Sequence, residues 1–148
     1  MVWIHGGGNT SGMTSEYNPQ KLVASQNVIV VTISYRLGIF GWFSHPELRN
    51  RSNGLDASAN FGLLDQIKAL EWLRNNIENF GGDKNNITIF GESAGGQNVI
   101  ALYVSPLAKG LFHRAISQSG GITLTSIADA EDIDLSLIHI SEPTRHRR

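Results

Sequence analysis

Ile87-Thr88-Ile89-Phe90-Gly91-Glu92-Ser93-Ala94-Gly95 is an apolar, β-branched run that empties into a G-x-S-x-G turn. A strand followed by this turn is the setting in which a serine becomes a nucleophile. The turn from strand to helix is sharp and strained, and side chains flanking the serine would collide with neighbouring backbone. Glycine removes the clash and tolerates unusual φ/ψ. The Ser93 hydroxyl is therefore expected to project from the carboxyl edge of a sheet, with the amino end of the next helix beneath it. The five-residue pattern is common by chance, so its surroundings must carry the reading.

Downstream, Ala94 to Val104 can form a helix that stops at Ser105, before Pro106. Near the other end of the chain, Val2-Trp3-Ile4 is a short apolar run leading into His5-Gly6-Gly7-Gly8. Three consecutive glycines leave backbone N–H groups uncovered, which suits an anion-binding concavity. A glycine run and a serine turn in this order say more together than either does alone.

The chain resembles the type-B carboxylesterases, the family that includes para-nitrobenzyl esterases, animal carboxylesterases and cholinesterases. The resemblance rests on Val2-Trp3-Ile4-His5-Gly6-Gly7-Gly8, Ser34-Tyr35-Arg36-Leu37-Gly38 with Gly41-Trp42-Phe43, and Asn60 to Gln66. It continues through Ala69-Leu70-Glu71-Trp72-Leu73, Asn79-Phe80-Gly81-Gly82-Asp83, Ile89 to Gly96, and Leu111 to Ile116 with Gln118-Ser119-Gly120. These stretches run in the family's order from Val2 to about Gly121. The resemblance implies an α/β-hydrolase fold, hydrolysis of small-molecule esters through an acyl-enzyme, and no cofactor. It implies Ser93 as nucleophile and the N–H groups of Gly7, Gly8 and Ala94 as an oxyanion hole. Glu92 and Ser119 match family residues beside the catalytic group, Glu92 acting electrostatically or as a structural carboxylate. His5 is expected to support the glycine loop.

The body of the chain alternates strand and helix. Val28 to Ile33 is a nearly continuous β-branched run, as expected for a parallel strand buried on both faces. Residues 37–59 hold Gly, Pro, Ser and Asn with little periodicity and read as a long loop. Leu63, Ile67, Leu70, Leu73, Ile77 and Phe80 recur at three- and four-residue steps, giving one helix face that Gly81 can end. The strand Ala115 to Gln118 follows the serine helix. Alternation of this kind predicts a partial, mostly parallel sheet with flanking helices, whose carboxyl ends share one edge. His5–Gly8, Gly91–Ala94 and Ser119–Gly121 all fall at that edge.

A serine nucleophile needs a histidine base oriented by a carboxylate, and in this fold the chain order is Ser, acid, His. His113 precedes its strand, which puts it at the amino edge, roughly 15–20 Å from the serine for a strand of five or six residues. It is read as a polar residue at a strand start. Asp129, Glu131, Asp132 and Asp134 read as a solvated acidic loop. The base, and the acid with it, are expected to lie outside this sequence. Tyr35, Trp42 and Phe43 read either as core or as the lining of the acyl or entrance region, and Asp65 as structural.

With 12 Lys+Arg against 13 Asp+Glu over 148 residues, the net charge is −1, and no basic run in the body suggests nucleic acid. Apolar content of 41% suffices for a core, and 17% charged residues argue against disorder. No apolar run reaches the ~18–20 residues that span a bilayer. No His/Cys cluster has metal-ligand spacing, and the glycine loops lack the lysine of a P-loop, so neither metal nor nucleotide is implied. Sequons at Asn9, Asn50 and Asn86 read as accidental in an Asn-rich chain.

Both ends call for separate treatment. A strand that reaches its glycine loop by Gly6 leaves no room for the earlier strands of such a fold, so Met1 is read as an internal methionine or a cut. Leu135 to Arg145 resembles the translation of an adapter used in sequencing libraries. Residues 1–134 are therefore taken as a partial α/β-hydrolase domain and 135–148 as a non-native tail. Two other functions compete with the esterase: a lipase or peptidase on the same fold, and a non-catalytic, cholinesterase-like adhesion domain. The glycine loop and serine turn favour the enzyme, because a binding module needs neither.

Overall fold

The computed structural model describes residues 1–121 and 125–141. In chain order the elements are β1 (Val2–Ile4), α1 (Gln20–Ser25), β2 (Val31–Ile33), α2 (Ile39–Trp42), α3 (Pro46–Arg51) and α4 (Phe61–Asn76). They continue with β3 (Thr88–Glu92), α5 (Ala94–Val104), β4 (Arg114–Gln118) and α6 (Ile127–Ser141). The strands form one sheet in the order β2-β1-β3-β4, and all three pairings are parallel. The α/β-hydrolase expectation of a mostly parallel sheet with flanking helices holds.

Register explains how distant segments meet. Ile4 pairs with Gly91 across β1 and β3, so the chain leaving β1 and the chain leaving β3 emerge side by side. Glu92 pairs with Gln118, which brings the end of β4 to the same edge. Beneath the sheet, α5 packs against β1, β3 and β4, while α4 packs against α2 and α5. Their apolar stripes meet in a core that includes Ile4, Ile89, Leu70 and Leu102, all fully buried. Burying each such side chain contributes about 1.5–3 kcal/mol.

The helix face read from the sequence is present: Ile67, Leu70, Leu73 and Ile77 are buried. The α-helix itself ends at Asn76 and tightens into a 3₁₀ turn, Ile77–Phe80, which Gly81 closes at φ 79°. Phe80 swings out to solvent with 63% exposure. The strand expected over Val28–Ile33 is shorter, and Val31 and Thr32 are only partly buried, because β2 lies at the sheet's edge and has a neighbour on one side only.

Two sequence expectations need correction. Residues 37–59 are not one long loop; they hold α2, α3 and a 3₁₀ turn over Gly54–Ser58. Helices of four and six residues are too short to show periodicity. The acidic cluster is not a solvated loop but part of α6. Glu131 is buried against Arg49, with both guanidinium bonds made at 2.8 and 3.1 Å. Asp134 accepts from the Ser44 amide at 2.6 Å. Residues 142–148, the remainder of the suspected tail, lie outside the described residues. Among those described, no helix is long and apolar enough to cross a membrane.

Candidate active site

Ser93 stands between β3 and α5 with φ 55° and ψ −123°, a backbone region that residues with a side chain avoid. Holding a residue there costs about 1–3 kcal/mol and persists only where the surroundings enforce it. They do so from both sides. The Ser93 amide donates to the Gln118 carbonyl at 2.9 Å, and its carbonyl accepts from the Gln97 amide at 3.0 Å. The side chain is exposed, and among the described residues its hydroxyl has no hydrogen-bond partner.

The flanking glycines serve close approach and not torsional freedom. A methyl on Gly95 would run into the carbonyl oxygens of Ile4 and His5, and one on Gly91 would lie 2.7 Å from the Ile4 oxygen. These contacts let the serine turn nest against the end of β1. The unusual torsion falls on the serine, which the sequence reading had assigned to its neighbours.

The glycine loop sits directly against this turn. A methyl on Gly6 would lie 3.2 Å from the Ser93 Cβ and 3.4 Å from a Glu92 carboxylate oxygen. The Gly7 carbonyl receives the amides of Thr10 and Ser11 at 3.1 and 3.0 Å and their hydroxyls at 3.2 Å each. In a trans peptide the carbonyl and the following N–H point in opposite directions. Turning the Gly7 carbonyl inward therefore turns the Gly8 N–H away from the loop's interior. The Gly6 carbonyl is likewise engaged by His5 Nδ1 at 2.8 Å, which orients the Gly7 N–H. Among the described residues, the amides of Gly7, Gly8 and Ala94 have no acceptor. Ala94 is the first residue of α5, where the helix end adds partial positive charge.

Of the sequence-predicted residues, the structure thus brings Ser93, Ala94, Gly7, Gly8 and Glu92 to one edge of the sheet. Ser119 follows β4 at the same edge, with φ 54°, and its preceding residue holds the Ser93 amide. His113 is at the other edge: its amide donates to the Ile87 carbonyl, and its Nδ1 accepts from the Ile87 amide at 3.2 Å. His5 is 2% exposed, and since a carbonyl can only accept, its Nδ1 carries the proton. No histidine among the described side chains is hydrogen-bonded to Ser93.

Behind the loop lies a buried polar chain that the sequence reading missed. Tyr35, far from lining a pocket, is core: its ring stacks on His5 and its hydroxyl donates to the His5 carbonyl at 2.7 Å. Burial pushes its phenol up to about 12, opposed by a side-chain hydrogen bond with Asn98. Asn98 also donates from Nδ2 to Asn9 Oδ1 at 2.9 Å. The signal was available: Asn98 is a polar residue in the stripe formed by Gly95, Val99 and Leu102, and buried polar groups find partners. Asp65 holds Arg36 through both guanidinium bonds and its amide, the structural role expected of it.

A hollow of about 360 Å³ opens beside the loop, lined by Gly8, Asn9, Thr10, Gly38, Ile39, Trp42, Phe43 and Asp134. Trp42 and Phe43 thus border open space beside the glycine loop. A hollow of about 400 Å³ at the amino edge, around Met1, Asn27 and Asn86, is remote from Ser93, so size alone does not mark the site.

The profile of the carboxylesterase family matches residues 1–136. The chain is 54% identical over 127 residues to liver carboxylesterase B-1 of Rattus norvegicus, covering 86% of this chain and 21% of that one. It is 56% identical over 119 residues to the medium-chain fatty acyl-CoA hydrolase precursor of Anas platyrhynchos, covering 80% of this chain and 20% of that one. A solved thermophylic PNB esterase superposes with a TM-score of 0.83 at 44% identity, over 94% of this chain and 28% of that one. The chain therefore spans about a fifth of the length of the curated relatives it matches. Its fold, its serine turn and its likeness to these proteins agree, and the chain belongs to the carboxylesterase family.

Proposed function

We propose that these residues form the nucleophile and oxyanion-binding part of a carboxylic ester hydrolase. Ser93 Oγ attacks the ester carbonyl carbon; its proton passes to a base, and the carbonyl π pair moves onto oxygen. The N–H groups of Gly7, Gly8 and Ala94 hold that oxyanion. Each such donor, placed where charge develops, is worth about 3–4 kcal/mol of barrier. Collapse expels the alkoxide, which takes the proton back, and water then releases the acid from Ser93 by the same steps. Glu92 and Ser119 support the site from beside it. The base and the acid come from outside residues 1–134.

The observation that carries this reading is a strained, exposed serine beside three amides that have no acceptor among the described residues. Relatives named as carboxylesterases and as a fatty acyl-CoA hydrolase favour esters and thioesters of carboxylic acids as the substrate class. An adhesion module would gain nothing from the strain at Ser93, and a lipase or peptidase lacks support among the relatives described. The test is labelling by a fluorophosphonate and hydrolysis of a short-chain aryl ester in a full-length protein carrying this segment. Both are expected to vanish in Ser93→Ala. Labelling that persists in that variant would place the nucleophile elsewhere.

A further inference from the structure

Helix α5 carries two groups that face the glycine loop's strand. Ser93 is at its amino end, and Asn98 lies further along the same helix, 3% exposed. Asn98 Nδ2 reaches Asn9 Oδ1 at 2.9 Å, and Asn9 immediately follows Gly8. Asn9 is itself held in the left-handed region, φ 58°, and its carbonyl accepts from the Gly38 amide at 2.7 Å. A rigid helix thus holds the serine at one point and, through one side-chain bond, the end of the glycine loop at another.

We infer that Asn98 and Asn9 are a positioning pair, whose hydrogen bond fixes the spacing between Ser93 and the amides of Gly7 and Gly8. This rests on the proposed oxyanion role of those amides. Without the bond, the Gly7–Asn9 segment keeps its internal contacts through the Gly7 carbonyl and its backbone tie to Gly38, but its side-chain tie to α5 is lost. The loop can then move as a unit relative to the serine. A displacement near 1 Å in a reacting geometry can cost on the order of a hundredfold in rate. Since the amides act on charge that exists only in the transition state, the loss belongs to kcat more than to KM.

The experiment compares Asn98→Ala, Asn9→Gly and their double variant in the full-length enzyme, with Ser93→Ala as the control. Asn9→Gly removes the acceptor while tolerating the positive φ. Each single variant is expected to lose about tenfold or more in kcat, with KM changed less than about threefold. The double variant should be no worse than Asn98→Ala alone, because that substitution already breaks the bond to Asn9 along with the one to Tyr35. Asn9→Asp keeps an oxygen acceptor and should recover most of the loss. Binding of a trifluoromethyl ketone, whose adduct carries the oxyanion, should weaken in parallel with kcat/KM. Losses that multiply in the double variant, or an unchanged kcat alongside a lowered Tm, overturn the proposal. Activity surviving Ser93→Ala would instead defeat the assignment of the nucleophile, which is a separate outcome.

Discussion

The imidazole of His5 lies nearly flat on the ring of Tyr35, centroids 4.5 Å apart, while the Tyr35 hydroxyl donates back to the His5 carbonyl. The residue that introduces the glycine loop is thus gripped twice by one side chain. Tyr35→Phe keeps the stack and removes the bond, leaving a buried carbonyl short of its partner. It is expected to lose about 1–3 kcal/mol of stability at neutral pH, read by denaturant unfolding. The phenol also sets a pH dependence. Its folded value is about 12 against an ordinary 10, so between those limits the folded state binds more protons than the unfolded chain. Stability contributed by the neutral phenol is therefore complete below pH 10 and falls as pH rises from 10 to 12. Tyr35→Phe should show a shallower decline across that window.

Ser93→Gly separates strain from chemistry. Glycine is at ease at φ 55°, so the substitution recovers about 1–3 kcal/mol of backbone strain and gives back about 0.5–1 in unfolded-chain entropy. Thermal unfolding should rise by the equivalent of about 1 kcal/mol, while fluorophosphonate labelling disappears. A variant that is both unlabelled and less stable would show that Ser93 carries no strain.

Gly95→Ala probes the seat of the serine turn. Its methyl meets the carbonyl oxygens of Ile4 and His5, and backbone on both sides must move. The expected cost is about 3 kcal/mol or more. Gly121→Ala is the comparison, since a methyl there meets nothing within 4 Å among the described residues, and it should change stability by about 0.5 kcal/mol or less.

Asp65 gives an acid-side test. The side-chain hydrogen bond from Arg36 holds its carboxyl below the ordinary value of 3.8, assisted by the Arg36 amide and charge and opposed by burial. Its contribution is present above that value and is lost as pH falls through it towards the lower folded value. Both side chains are part-exposed, 50% for Arg36 and 28% for Asp65, so solvent screening limits the pair to about 1 kcal/mol. Asp65→Asn should cost that much at pH 7 and little at pH 2, measured by urea unfolding at both.

What could be read in the sequence was whatever local chemistry dictates. The strand before Gly91, the helix after Ser93 and its stop at Ser105 follow from apolar runs, glycine and Pro106, and all three are found. The α4 stripe was legible for the same reason. Pairings between distant residues were not. Glu131 looked solvated among three other acids because its partner, Arg49, sits in a helix too short to announce itself. Asn98 alone stands out only as a polar residue in an apolar stripe, and its partner Asn9 is identified only once β1 lies beside β3. That loop and serine share one edge followed from the alternation of strand and helix; that β1 and β3 are direct neighbours did not, since nothing in either segment names the other as its partner.

The pairing of Ile4 with Gly91 has a kinetic consequence. The glycine loop reaches Ser93 only by joining segments far apart in the chain, and such closures are slow because entropy is lost before contacts repay it. During synthesis the glycine loop leaves the ribosome long before the strand that will flank it. Until that strand arrives, Val2–Ile4 has open backbone on the side β3 will take. A nascent chain halted anywhere before residue 90 would hold the loop without its seat, a sticky edge strand awaiting a partner.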